Sequence, residues 1–340
     1  MTSSRTLKIL LVIFTLLLLI ITGIIGYIII TKSRQGYLYS EWAYEVTEIR
    51  TVQSMGYSGK NVTIAIVDSG VDIAHPALKN IKIKYWKDYI NQRTEPYDDN
   101  GHGTHITGII AGRERLNGVA QDVELIIIKG ITSDGNGNTD NLANAIDDAI
   151  REGADIISLS LGQKSFPIGT TPLENAVQKA LNKGIFVVAA AGNDGPNNMD
   201  VSSPSNVEGA ISVGAINKDK LLATFSSKGR NSFPFLRSDP DKKPEIVAPG
   251  VEIFSAWLNS NYASASGTST SVAFVAGILA LILEAKPAYK RNGTKGGTIN
   301  AIITVKYGHS SEKLNSQKEP HDDFYGYGLI KTKQLLNYLN

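Results

Sequence analysis

The 340-residue sequence has no cysteine, which removes disulfides, thiolate metal sites and a cysteine nucleophile together. Charge of one sign is also scarce: 34 Lys and Arg stand against 32 Asp and Glu, a formal net charge of +2. So small a surplus does not argue for an anionic partner. No basic cluster interleaved with aromatic residues is present, so nucleic acid is not an expected partner. Internal repeats and low-complexity tracts are missing as well. With 42% hydrophobic and 19% charged residues, the composition is that of a globular chain.

What is there begins with a long apolar run. Residues 9–31 carry no charge and are mostly Leu and Ile. A helix needs about 20 such residues to cross a bilayer core. The apolar part of a cleaved signal peptide is shorter, roughly 7–15 residues, and ends in a small-residue cleavage site. Here Gly23 and Gly26 are the only small residues near the end. The expectation is a tail over 1–8, an uncleaved transmembrane anchor over 9–31 and a linker over 32–40. Residues 41–340 then form one large domain. Arg5 and Lys8 before the run nearly balance Lys32, Arg34 and then Arg50 after it, a near-tie that leans slightly against a translocated domain, so flanking charge does not set the orientation.

Beyond the linker, strand and helix patterns alternate. Residues 62–67 are a continuous apolar, β-branched run, the pattern of a parallel strand covered on both faces. Similar runs occupy 124–131, 155–161, 185–191 and 210–215. Between them, residues 139–152 place Leu142, Ile146, Ala149 and Ile150 on one helical face. Thr171-Pro172 reads as an N-cap and first helical position, with Gly184 as the stop. This is an α/β pattern: a doubly wound, mainly parallel sheet flanked by helices. The apolar run 272–283 is too short to span a membrane and suits a buried core helix. It starts just after Gly267-Thr268-Ser269, which puts a hydroxyl where helix N–H groups favour negative charge.

Three short segments carry candidate chemistry, in the order Asp68-Ser69-Gly70, Asn100-Gly101-His102-Gly103-Thr104-His105 and Gly267-Thr268-Ser269. Taken singly, Asp68 reads as a turn residue, Ser269 as a helix cap, and Asn193 in Gly192-Asn193-Asp194-Gly195 as turn chemistry. Together with His102 they supply a base, a carboxylate to orient it, a hydroxyl nucleophile and an amide donor. In this order they resemble the aspartate, histidine and serine signatures of the subtilisin-like peptidases (peptidase family S8). The resemblance runs from about Trp42 to the chain end. It takes in 189–193 (Ala-Ala-Ala-Gly-Asn), 223–229, Ala248-Pro249-Gly250 and 326–330.

The resemblance implies a serine-type endopeptidase that hydrolyses peptide bonds through an acyl-enzyme. Asp68, His102 and Ser269 would be its triad, and Asn193 and the Ser269 N–H its oxyanion donors. Polypeptide substrates would lie as an extended strand between Gly135-Asn136-Gly137 and Ser160-Leu161-Gly162. Gly162, Ala190, Ala191 and Gly192 would line the primary pocket, which the absence of charge in these segments suits to a bulky apolar side chain. No cofactor is implied. The segment 113–118 is shorter than the calcium loop of secreted members, so calcium is not expected there. Only about ten residues separate the apolar run from Trp42, so folding without a separate prodomain is the expectation.

Rival readings fit less well. An α/β-hydrolase esterase needs Gly-x-Ser-x-Gly and the order Ser, Asp, His, whereas Ser271 occupies the second glycine position and the order here is Asp, His, Ser. His105 lies three residues after His102, but no third ligand accompanies the pair, so its expected role is structural. His75, His309 and His321 read as turn or surface residues. An endopeptidase tethered by residues 9–31 is expected outside the cytoplasm, away from nascent chains.

Overall fold

A computed structural model of the chain describes residues 13–27, 40–165, 170–195, 197–198, 200–232, 235–239, 241–291, 310–314, 317 and 321–339. The apolar run appears as helix α1 (Ile13–Tyr27), whose side chains touch no other part of the chain closely enough to be buried. Phe14, Leu19 and Tyr27 are each about two-thirds exposed. The rest of the expected anchor, 9–12 and 28–31, and most of the linker lie outside the described residues. Ser40 is already packed, its Oγ accepting from Phe254 N at 2.7 Å.

After α2 (Ile49–Ser54), strands and helices alternate. The strands are β1 (Thr63–Asp68), β2 (Lys82–Asp88), β3 (Glu124–Lys129), β4 (Ile156–Leu159), β5 (Phe186–Ala190), β6 (Ile211–Ile216) and β7 (Ile246–Pro249). They lie in the order β7-β6-β5-β4-β1-β3-β2 and every pairing among them is parallel. A separate antiparallel hairpin, β8 (Ile253–Ala256) and β9 (Tyr262–Ala265), packs beside the sheet. Beyond it, β10 (Ser311–Glu312) and β11 (Leu329–Ile330) extend the sheet past β7, with β10 antiparallel.

Period-2 alternation within buried strands decides which face each side chain serves. On β1, Ile64 and Ile66 belong to one core and Ala65 and Val67 to the other. The first core is filled by α3 (His102–Ala111) and α6 (Thr268–Ala285). The second is filled by α4 (Thr139–Arg151) and α5 (Pro172–Asn182). Helix α6 runs four residues before and two after the apolar run, and nearly all of it is buried, which makes it the core helix expected. By length and composition alone it would also pass for a membrane span, but it is 83% buried inside the fold.

Helix starts follow local chemistry. Thr171 Oγ1 accepts from Glu174 N while Glu174 returns a bond to Thr171 N, a complete capping box with Pro172 at the first helical position. Asn138 caps α4 without a reciprocal bond, its side chain accepting from Asp140 N and Asn141 N. A short C-terminal helix, α7 (Thr332–Tyr338), closes the domain.

Candidate active site

Strand order reverses at β1: β3 and β2 lie on one side, β4 through β7 on the other. In open α/β sheets, ligands bind outside the carboxyl ends of strands at such a point. Asp68 is the last residue of β1 and is 1% exposed. Its Oδ1 accepts from His102 Nδ1 at 2.7 Å and from Ser69 N at 2.7 Å. Asp68 Oδ2 is buried with no partner among the described residues.

His102 opens helix α3, and the turn before it is built to hold it there. Gly101 has φ +101°, and a Cβ on it would come within 2.8 Å of the Trp257 ring, so only glycine fits. His102 N donates to Asn100 Oδ1. Asp98 binds the rest of the loop: Oδ1 accepts from Ser69 Oγ, Asn100 N and Gly101 N, and Oδ2 from Thr104 N and Oγ1. Burial alone would push the Asp98 carboxyl up. The hydrogen bonds from Gly101, Thr104 and Asn100 hold it below 3.8 instead. For His102, burial pulls the pKa down, but attraction and hydrogen bonding from Asp68, with a further pull from Asp98, raise it above 6.5. A carboxylate can only accept, so Nδ1 carries the proton toward Asp68 and Nε2 keeps its lone pair.

Ser269 is the second residue of α6, half-exposed at the helix mouth. Its carbonyl accepts from Ser160 Oγ at 3.1 Å. Asn193 follows Gly192, whose φ of +112° and near contact with Ser202 Oγ (2.2 Å from an added Cβ) again demand glycine. Asn193 Oδ1 accepts from both the N–H and the Oγ1 of Thr268, each at 3.0 Å. With its oxygen so occupied, the amide presents Nδ2 on the side where Ser269 Oγ lies: a Cβ on Gly267 would stand 2.9 Å from that Oγ and 3.5 Å from Nδ2. Ser269, Asn193 and His102 line one cavity of about 340 Å³ with Ser160, Leu161, Gly162, Ala190 and Gly192. Among the described residues no hydrogen bond joins Ser269 Oγ to the imidazole. Such bonds often tighten only around substrate.

A second cavity, also about 340 Å³, adjoins His102 and is lined by Ile131, Gly135, Gly137, Leu142, Ser160, Leu161, Gly162 and Leu173. The segments 135–137 and 160–162 thus face each other across a cleft. Asn136 sits at the exposed turn of its hairpin, its carbonyl bonded to Thr132 N. Ala191 is fully buried, behind the cavity wall.

A mostly parallel sheet with an Asp-His pair, a serine at a helix mouth and a cleft at the strand ends suits a subtilisin-like peptidase, and the comparisons with known proteins agree. The model of the Subtilase family (Peptidase_S8) matches residues 59–328. The chain belongs to the subtilase family. It is 35% identical to subtilisin E of Bacillus subtilis (strain 168) over 298 residues, covering 85% of this chain and 70% of that relative. The same identity holds to a subtilisin of Bacillus pumilus, with 97% of the relative covered. A thermophilic serine proteinase of Bacillus sp. (strain AK1) is 37% identical over 289 residues, 79% of this chain and 65% of that one. Like its subtilase relatives, the chain is a serine endopeptidase acting on polypeptides, and its chemistry needs no cofactor.

Several residues around this subtilase site were invisible in the sequence. Asp98 and Thr268 orient the histidine and the asparagine, and only the Asp-Asp-Asn run before Gly101 hinted at the first. Lys164 and Asp194, opposite charges, also line the cavity with Ser269, where the sequence suggested no charge. His105 is neutral and structural: burial, then the charge of His102, push its pKa down to about 4, and Nε2 bonds Ile253 O. His75 lies in a turn as expected but is fully buried, bonded to Ala77 N and Asn261 O. His321 is half-buried against Tyr327, and His309 lies outside the described residues. The segment 113–118 is a tight turn held by Arg113 N to Ala77 O and Gly118 N to Gly112 O. An Arg113–Asp122 ion pair closes it.

Proposed function

We propose that this chain is a membrane-anchored subtilisin-like endopeptidase whose peptide-bond chemistry is carried by Asp68, His102 and Ser269. His102 Nε2 takes the Ser269 proton as Oγ attacks the scissile carbonyl carbon. The carbonyl oxygen becomes an oxyanion, met by Asn193 Nδ2 and the Ser269 N–H, one of the N–H groups a helix start leaves unpaired. Collapse expels the amine, protonated by His102, and leaves an acyl-enzyme. Water, deprotonated by His102, then releases the acid and restores Ser269. Asp68 fixes the tautomer and stabilises the imidazolium without itself taking the proton. The substrate lies as an extended strand between 135–137 and 160–162, with an apolar side chain directed toward Gly162, Ala190, Ala191 and Gly192.

The observation that carries this reading is the 2.7 Å bond from His102 Nδ1 to a buried Asp68, at the wall of a cavity that Ser269 and Asn193 share. The test is casein hydrolysis by purified variants. Ser269→Ala and His102→Ala should be nearly inactive while remaining folded. Asn193→Ala should lose about 10²–10³-fold in kcat, the cost known for removing this donor from a subtilisin. Wild-type rates from Ser269→Ala would sink the assignment.

The anchor reading rests on residues 9–31 and on the unburied apolar side chains of α1. Exposed apolar side chains along a helix are stable in lipid, where its backbone groups are bonded within the helix. The catalytic domain then lies outside the cytoplasm, where an unrestrained endopeptidase meets no nascent chains. Alkaline carbonate extraction should leave the chain in the membrane fraction, and protease added to intact cells should reach the domain. Release into the supernatant, or complete shielding, would overturn this part.

A further inference from the structure

Lys129 is one of the largest fully buried side chains in the molecule, at 0% exposure. A buried ammonium is tolerated only when each of its three donors is met. Here Nζ donates to Ser69 O at 2.6 Å, to Asp99 Oδ1 at 2.6 Å and to Ile131 O at 2.9 Å. These acceptors belong to three different parts of the site. Ser69 follows Asp68 at the end of β1. Asp99 stands in the histidine loop three residues before His102. Ile131 is the base of the hairpin that carries Gly135, Asn136 and Gly137, pairing with Gly137 across a bridge and lining the cavity beside His102.

The hairpin base has few other ties to the catalytic strand. Gly130 N and Ile131 N both donate to Asp68 O, at 2.9 and 3.2 Å; the loop beyond closes on itself through Thr132 and Asn136 and meets the histidine loop through one exposed bond, Asn100 Nδ2 to Ser133 O at 2.9 Å. The loop from 133 to 136 is exposed. A mobile wall gives little affinity to an extended peptide, because ordering it would be charged against binding. A buried, fully bonded ammonium at its base removes that cost in advance.

We infer that Lys129 is a positioning residue: it pins the 131–137 wall of the cleft to the Asp68 strand and the histidine loop, so that the wall stands ready to pair with substrate. The inference rests on the reading of 135–137 as a substrate-binding edge. Substrates that reach the edge depend on it, whereas a substrate filling only the primary pocket does not. A residue that merely supported the fold would lower the active fraction alike for both.

The experiment compares the full-length enzyme on a four-residue peptide nitroanilide and on the nitroanilide of its last residue alone. Wild type should favour the longer substrate through KM; if it does not, the reading of the edge fails and Lys129 is not at issue. Given that preference, Lys129→Met should raise KM for the long substrate about tenfold or more and cost the short one about threefold at most, as loss of a charged hydrogen bond on the longer path would. Should Lys129→Met fail to fold, Asp99→Ala decides. It removes one acceptor at a side chain about one-third exposed, where solvent weakens the bond, and should raise KM for the long substrate by about threefold while leaving the short one unchanged. Equal losses on both substrates, or an unchanged preference for the longer one, overturns the inference.

Discussion

At the scale of single residues, the site is governed by how two carboxylates act on one imidazole. Burial disfavours the imidazolium, yet Asp68 and Asp98 together raise the His102 pKa above 6.5. In the proposed mechanism the proton that Ser269 gives up can be taken only by the neutral ring. As pH falls through the raised pKa the ring becomes charged and the base is lost, so kcat/KM should decline on the acid side with a midpoint above pH 6.5. A pH–rate profile on a peptide substrate reads this directly, and a midpoint well below the ordinary histidine value would contradict the coupling. His105, three residues on, has its pKa pushed down to about 4 by burial and the charge of His102, and should contribute nothing in that window. The triad candidates and Asn193 were legible in the sequence because their residue types and order are distinctive. Asp98, Thr268 and Lys129 were not, because their roles come from hydrogen bonds to segments distant along the chain, which no local pattern encodes.

Among the elements, legibility followed burial. The five strands read from continuous apolar runs all exist, since strands covered on both faces need apolar residues at every position. Strand β2 was missed because Lys82, Lys84 and Lys87 interrupt it. It is an edge strand with one side in water, where charge guards against further pairing. The buried four-residue strand β7, the hairpin β8–β9 and the short strands β10 and β11 were missed because two to four residues leave too little periodicity to read. Helix ends were clearer. Thr171, Pro172 and Gly184 marked α5, and the capping box found there supplied the reason. Thr171→Ala removes the side-chain bond to Glu174 N and should destabilise the domain by about 1 kcal/mol, read as a lower denaturant midpoint at unchanged slope. No shift in midpoint would mean that packing of α5, and not its cap, sets its stability.

At the scale of the whole molecule, the sheet delivers each functional group to one end. Asp68 stands at the carboxyl end of β1, where strand order reverses. Ser160 and Asn193 follow the ends of β4 and β5. The buried helix α6 crosses beneath the same end and starts with Thr268 and Ser269. The proposed mechanism turns on Ser269 being the nucleophile. The most direct measurement is mass spectrometry of the full-length protein treated with a fluorophosphonate, followed by mapping of the modified peptide. One adduct is predicted, on Ser269, absent from Ser269→Ala and slowed by His102→Ala. An adduct on another serine, or labelling that persists undiminished in Ser269→Ala, would contradict it.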